Sequence, residues 1–161
     1  MIDEMSVVRD YASRLPVDVI GIFDALRIEY IEEPMPDEQS GRIFYEDPFC
    51  TVTVNANEGP QRKRFTAAHE LGHYLLHRDL LDGKKHLDRL FSSGGNDNPY
   101  GPLSPYHEVQ ANKFAADLLM PAGPLRAHFS PSADNVQELA DLCGVSKAAM
   151  KIRLNSLGIR K

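Results

Sequence analysis

The segment RFTAAHELGHYLLH, residues 64–77, places three of the chain's six histidines within nine positions of a largely apolar stretch. His69, Glu70 and His73 in it match the pattern H-E-x-x-H. On a helix, residues four apart lie one above the other, so both imidazoles can bind one divalent metal ion. Glu70 then lies beside the ion, where it can take a proton from a water molecule that zinc has acidified. The segment therefore predicts a metal site with Glu70 as general base.

Two histidines do not complete a catalytic zinc site, which needs a third protein ligand and one open position. The candidates downstream are His77, His86, His107, Glu108 and several aspartates. His77 lies about 12 Å along the helix axis from His69, at about 1.5 Å per residue. We therefore interpret His77 as a helix-end residue or a pocket wall.

Glu108 is the favoured third ligand, because it begins an amphipathic segment after a connection long enough to fold back onto the helix. Asn112 follows one turn later, and its carbonyl could accept a hydrogen bond from the outer ring nitrogen of His69 or His73. The alternative for Glu108 is an exposed glutamate in the first turn of a helix.

Composition and charge exclude several classes of protein. The chain has 161 residues, 42% of them apolar, and a net charge of −5. A negative charge argues against coating nucleic acid or anionic membrane, and no apolar run reaches the roughly 20 residues of a membrane span. Cys50 and Cys143 form no C-x-x-C pair and predict reduced thiols. With no basic and apolar leader after Met1, we expect a cytoplasmic protein.

The pattern of elements predicts an α+β fold of helices, a sheet and further helices. The expected helices cover 3–14, 17–27, 60–77, 79–91 and 106–120, with two more around Gly144; the expected strands, in one antiparallel three-stranded sheet, cover 27–31, 41–46 and 50–56. Strand 50–56 could be a sheet edge that pairs with a substrate, or a plain core strand. Loop 92–105, with Tyr100 and then Tyr106, could cover a cleft or be a solvent loop.

Two blocks of this sequence, RFTAAHELGH and HEVQANKFAADLLMP, resemble the ImmA/IrrE metallo-endopeptidase family of bacterial and phage proteins. The residues that match its motifs are Arg64, Phe65, Thr66, Ala68, His69, Glu70, Gly72, His73, Glu108, Ala111, Asn112, Phe114, Ala115, Leu118, Leu119, Met120 and Pro121. The resemblance covers roughly residues 15–155. It implies a zincin-type core of the gluzincin kind, with His69, His73 and Glu108 as metal ligands and Glu70 as general base.

With this resemblance, the expected organisation is a metallopeptidase core over residues 1–130 and a helix-turn-helix-like tail over 131–161. The tail carries five basic and three acidic residues from position 134 onward, so we expect it to pack on or next to the core and not to bind DNA directly.

The resemblance implies a metal-dependent endopeptidase that uses zinc (Zn²⁺), with manganese (Mn²⁺) as an alternative. Its implied partner is a helix-turn-helix repressor or other regulatory protein, in mobile-element induction, stress response or a toxin–antitoxin pair. The alternative is a non-proteolytic regulator or toxin component that binds a repressor or antitoxin. An intact Glu70 favours the enzyme, because a binding site needs no base.

Overall fold

The structure is a computed structural model that describes residues 3–88 and 103–159. Its helices are α1 (Glu4–Ala12), α2 (Val19–Ala25), α3 (Pro60–Leu81), α4 (Pro105–Leu119), α5 (Ala122–His128), α6 (Val136–Cys143) and α7 (Lys147–Ser156). Its strands are β1 (Glu29–Glu33), β2 (Gly41–Glu46), β3 (Phe49–Asn55) and β4 (Lys84–Asp88). The predicted α+β class is confirmed: β1, β2 and β3 lie between α2 and α3 in sequence, and β4 follows α3.

The sheet is mixed and four-stranded, with the order β1-β3-β2-β4, so the prediction of a three-stranded antiparallel sheet is wrong. β2 and β3 form an antiparallel hairpin, but β1 pairs in parallel with β3. The chain after β1 therefore passes across the sheet before β2 begins, and consecutive strands do not pair there. β3 lies in the interior of the sheet, so the idea that it is an open edge for a substrate is also wrong.

A buried asparagine at the end of β3 holds the crossing segment between β1 and β2. The Asn55 amide group donates to the carbonyl oxygens of Met35 at 3.2 Å and Gln39 at 2.8 Å. Its Oδ1 accepts from the backbone N–H of Met35 at 3.1 Å. Because a buried backbone polar group is costly without a partner, these bonds stabilise the path that makes β1 and β3 parallel.

The predicted helix over 79–91 is replaced by a strand. α3 continues to Leu81, Gly83 turns the chain at φ +73°, and β4 then pairs antiparallel with β2. His86 lies opposite Ile43 in this pairing, and both side chains are buried. Tertiary pairing with β2 thus decides the structure over the local helical pattern. Residues 89–91 lie outside the described residues, as does the greater part of the predicted loop 92–105.

α3 and α4 pack at close range where the chain has small residues. A Cβ atom added to Gly72 would lie 3.1 Å from Phe114 Cδ1 and 3.3 Å from the Cα atom of Ala111. Ala68, Ala111 and Ala115 are likewise buried. The short distance between the helix backbones brings the start of α4 over the histidine face of α3.

The last two helices are joined to α3 and α4 by hydrogen bonds. The Arg64 Nε–H donates to the carbonyl oxygen of Cys143 at 3.1 Å, where α6 ends, and Gly144 follows with the left-handed φ of +71°. Arg153 of α7 donates to the carbonyl oxygen of Met120 at 2.9 Å.

Both cysteines are free and buried. Among the residues that the structure describes, none of the helices is both long and apolar enough to cross a membrane.

Candidate metal centre

One carboxylate oxygen lies at the centre of the histidine cluster. Glu108 Oε1 is 2.6 Å from His73 Nε2 and 3.3 Å from His69 Nε2. The histidines come from adjacent turns of α3, and Glu108 comes from the first turn of α4, whose N-cap is Ser104. All three side chains are buried. The structure thus brings together the three residues that the sequence predicts as ligands.

In each neutral histidine ring, the hydrogen bond made by Nδ1 determines whether Nε2 carries a proton or a lone pair. His69 Nδ1–H donates to Asn112 Oδ1 at 2.7 Å, so His69 Nε2 carries a lone pair. This is the hydrogen bond that the sequence predicted for Asn112. It fixes the ring with its lone pair toward Glu108, the usual state of a metal-binding histidine.

His73 is held by a different and unexpected partner. Its Nδ1 lies 3.0 Å from His77 Nδ1, and His77 Nε2 lies 2.8 Å from Gln110 Oε1. Burial lowers the pKa of His77 and so favours the neutral ring, and His77 Nε2–H donates to Gln110 Oε1. With this tautomer of the neutral ring, His77 Nδ1 accepts the His73 Nδ1–H, and a neutral His73 then has its lone pair on Nε2. His77 lies one turn before the end of α3 at Leu81, and its contact with His73 was not part of the sequence prediction.

Two imidazole rings and a carboxylate thus converge in a buried space. His73 Nε2 lies at hydrogen-bonding distance from Glu108 Oε1, 2.6 Å, and His69 Nε2 lies 3.3 Å from the same oxygen, so a proton or a metal ion between them holds these groups together. Nitrogen and oxygen donors of this kind are those that zinc and other divalent transition metals bind. The residues present therefore fit a divalent metal ion.

Glu70 lies on the same face, with no exposed surface, and its carboxylate is near the donor atoms of His69 and His73. The start of β2 closes in on it: a Cβ atom at Gly41 would lie 3.1 Å from Glu70 Oε2 and 2.6 Å from Thr66 Cγ2. Only glycine fits at this position without a shift. Sequence reasoning missed Gly41, although a glycine in a strand often marks a close approach of this kind.

Two further histidines lie near the centre and make different contacts. His86, on β4, has its Nε2 3.3 Å from each oxygen of Glu108. His107 caps α4, since its Nδ1 accepts the Ser104 backbone N–H at 3.0 Å. The sequence named both as candidates and chose neither. The spacing of His86 gave no signal, because its approach depends on the pairing of β4 with β2.

Comparison with known proteins gives the family. Residues 23–155 match the sequence model of a peptidase family described as the IrrE N-terminal-like domain. The chain belongs to the ImmA/IrrE family. A family relative, the radiation response metalloprotease IrrE of Deinococcus deserti, is 33% identical over 105 residues, which are 63% of this chain and 34% of that protein. The chain thus spans about a third of the length of the relative that it matches. Membership in this family implies a divalent metal.

Tyr106, which the sequence raised as a group for the cleft, is exposed in the first turn of α4. Tyr100 lies outside the described residues.

Proposed function

We propose that this chain is a metal-dependent endopeptidase, with zinc or manganese as its ion. The observation that carries the proposal is the buried convergence of His69, His73 and Glu108, with the Glu70 carboxylate beside it. The family match supports it, as does the name metalloprotease of the Deinococcus relative.

Each residue has a distinct part in the proposed reaction. His69, His73 and Glu108 would hold the ion, and Asn112 and His77 keep the two rings in the required tautomer. The ion supplies Lewis acidity, which polarises the scissile carbonyl and lowers the pKa of a water molecule to about 7.

Glu70 accepts the proton of the attacking water at a carboxylate oxygen and returns it to the nitrogen of the leaving amine. The water oxygen forms the new bond to the carbonyl carbon, and the C–N bond breaks. Gly41 leaves room for the carboxylate at the start of β2. A base held in this way contributes roughly 10²- to 10⁴-fold to the rate of such a reaction.

The proposed substrate is a helix-turn-helix repressor or another regulatory protein, and the proposed setting is a cytoplasmic stress response or toxin–antitoxin pair. Resemblance to the ImmA/IrrE family supports this class of substrate. The net charge of −5 favours a protein partner over nucleic acid.

The test is to incubate the zinc- or manganese-loaded chain with helix-turn-helix repressors encoded near its own gene, and to follow the products by mass spectrometry. We expect one or a few defined cleavage sites, and no products after a chelator has removed the ion. A stable complex with no cleavage would instead identify a regulator that acts by binding.

A further inference from the structure

His86 lies in the metal centre without a part in the proposed reaction. It is carried by β4, which pairs with β2 and is the last strand of the sheet among the described residues, and its side chain has no exposed surface. Its ring meets the His73 ring edge-on, with the centroids 5.1 Å apart. His86 thus places a third imidazole beside the proposed ligands from α3 and α4, and its role there has to be explained.

The distances from His86 and His69 to Glu108 indicate that His86 is a metal ligand. His86 Nε2 is 3.3 Å from Glu108 Oε1, and His69 Nε2 is also 3.3 Å from that oxygen. Two ligands of one tetrahedral zinc ion, with bonds of about 2.0 to 2.2 Å, lie roughly 3.3 Å from each other. His86 Nε2 lies at this distance from Glu108, whereas His73 Nε2 is closer, at 2.6 Å, and ligand atoms of His73, His86 and Glu108 all lie within 4.8 Å of one another.

A simple hydrogen bond between His86 and Glu108 explains these positions less well. His86 Nε2 is equally distant, 3.3 Å, from Oε1 and Oε2 of Glu108. A charge-assisted N–H···O bond is shorter, about 2.7 to 2.9 Å, and is directed at one oxygen. His73, at 2.6 Å from Oε1, shows that the carboxylate can be approached more closely here.

We propose that His86 Nε2 is a fourth protein ligand of the ion held by His69, His73 and Glu108. β4 then fills the position that a zinc peptidase leaves open for water. His86 would then close the centre in the resting chain, and hydrolysis would require the His86 ring to move away. This inference rests on the proposed metal site, but it does not depend on cleavage of any substrate.

X-ray absorption spectroscopy of the full chain loaded with one equivalent of zinc counts the imidazole ligands directly. We expect three, from His69, His73 and His86, together with one carboxylate oxygen. Two imidazoles with two oxygen ligands would overturn the proposal, and so would failure of the chain to bind zinc. The unmodified chain gives this answer, so it stands even if variants of His86 fold poorly.

His86→Gln and His86→Ala test the same contact by affinity. Competition with a chelating dye should show zinc binding weakened by more than the roughly 10- to 100-fold that loss of an outer hydrogen-bond partner costs. The imidazole count should fall to two. His107→Ala is the matched control, because His107 caps α4, and its zinc affinity should equal that of the unmodified chain. Unchanged affinity in both His86 variants would contradict the proposal.

The two proposals fail separately. A zinc site with three imidazoles that cleaves no repressor removes the endopeptidase and keeps the His86 ligand. Cleavage by a site with two imidazoles keeps the endopeptidase and removes the His86 ligand.

Discussion

At the scale of the residue, the centre depends on hydrogen bonds behind the ligands as much as on the ligands. Asn112 and His77 each accept an Nδ1–H, from His69 and His73 respectively, and thereby direct two Nε2 lone pairs at Glu108. Glu70 alone has a part that depends on its charge and not on coordination. The roles of base and ligand can therefore be separated by substitution.

Glu70→Gln should keep the metal and abolish cleavage. The amide is nearly isosteric with the carboxylate but cannot accept the proton of water, so kcat/KM should fall by roughly 10²-fold or more. Metal analysis of the purified variant should still give one ion per chain. Normal turnover of the repressor by the metal-loaded variant would remove Glu70 as the base.

Alanine substitutions should rank the groups around the ion. Glu108→Ala should weaken metal binding most, because it removes a ligand. Asn112→Ala and His77→Ala should each cost roughly 10- to 100-fold, because each frees a ligand ring to rotate. His107→Ala should cost least. Titration against a chelating dye gives all four affinities, and a His107→Ala loss greater than that of Glu108→Ala would refute the proposed ligand set.

The sequence predicted the three converging residues, and Asn112 as a hydrogen-bond partner of either His69 or His73, because helical spacing, ligand chemistry and the family motifs can be read along the chain. It did not predict the roles of His77, His86 or Gly41. The His77 bond to His73 depends on Gln110 of another helix, and the other two positions depend on how β2 pairs and packs. Spacing along the chain carries no information about such contacts.

At the scale of the element, the approach of α3 to α4 sets the position of Glu108. The absence of a side chain at Gly72 permits that approach, since its surroundings include the Ala111 backbone, which cannot easily move. Helices that pack through small residues have little space to absorb added atoms.

Gly72→Val should therefore destabilise the fold by about 1 to 3 kcal/mol and weaken metal binding, because it separates α4 from α3. Urea unfolding measures the first effect and dye competition the second. Gly123→Ala in α5 is the control, since an added Cβ there meets nothing within 4 Å. That change should stabilise the chain by up to about 1 kcal/mol. A Gly72→Val chain as stable as the unmodified one would contradict the close contact.

The strands show where sequence patterns reach their limit. β2 and β3 were predicted within one residue, because alternating β-branched residues and a short turn define a hairpin locally. The parallel direction of β1 relative to β3 was not predicted, since it depends on Asn55 binding the backbone of the segment between β1 and β2. β4 was missed because its residues gain their strand partners only from β2.

At the scale of the whole molecule, α3 joins the parts of the chain. Near its start, Arg64 binds the end of α6; near its end, Arg78 makes a two-fold hydrogen-bonded ion pair with Glu4 of α1. The Arg78 guanidinium also lies over the Tyr74 ring, 4.6 Å from its centroid. Contacts with segments distant in sequence thus hold α3 near both of its ends.

The pair with Arg78 lowers the pKa of Glu4 below its ordinary value of 4.5. A lowered folded-state pKa means that the contribution to stability is complete above about pH 4.5 and is lost as the pH falls through the lower value. Glu4→Gln should therefore reduce the free energy of unfolding at pH 7 and flatten its decline in acid. Urea unfolding from pH 7 to pH 3 measures this, with Glu138→Gln, an exposed position in α6, as the control. Parallel acid profiles for Glu4→Gln and the unmodified chain would argue against this ion pair.

The convergence of α3 and α4 on one ion also makes folding a function of metal supply. The unfolded chain cannot keep His69, His73 and Glu108 together, so the ion binds the folded form and its binding free energy adds to that of folding. At a free ion concentration of about 100 times Kd the gain is about 2.7 kcal/mol. Calorimetry should show the unfolding midpoint rising with added ion. In a cell short of that metal, a larger unfolded fraction would be open to proteolysis, and the abundance of the protein would follow the metal.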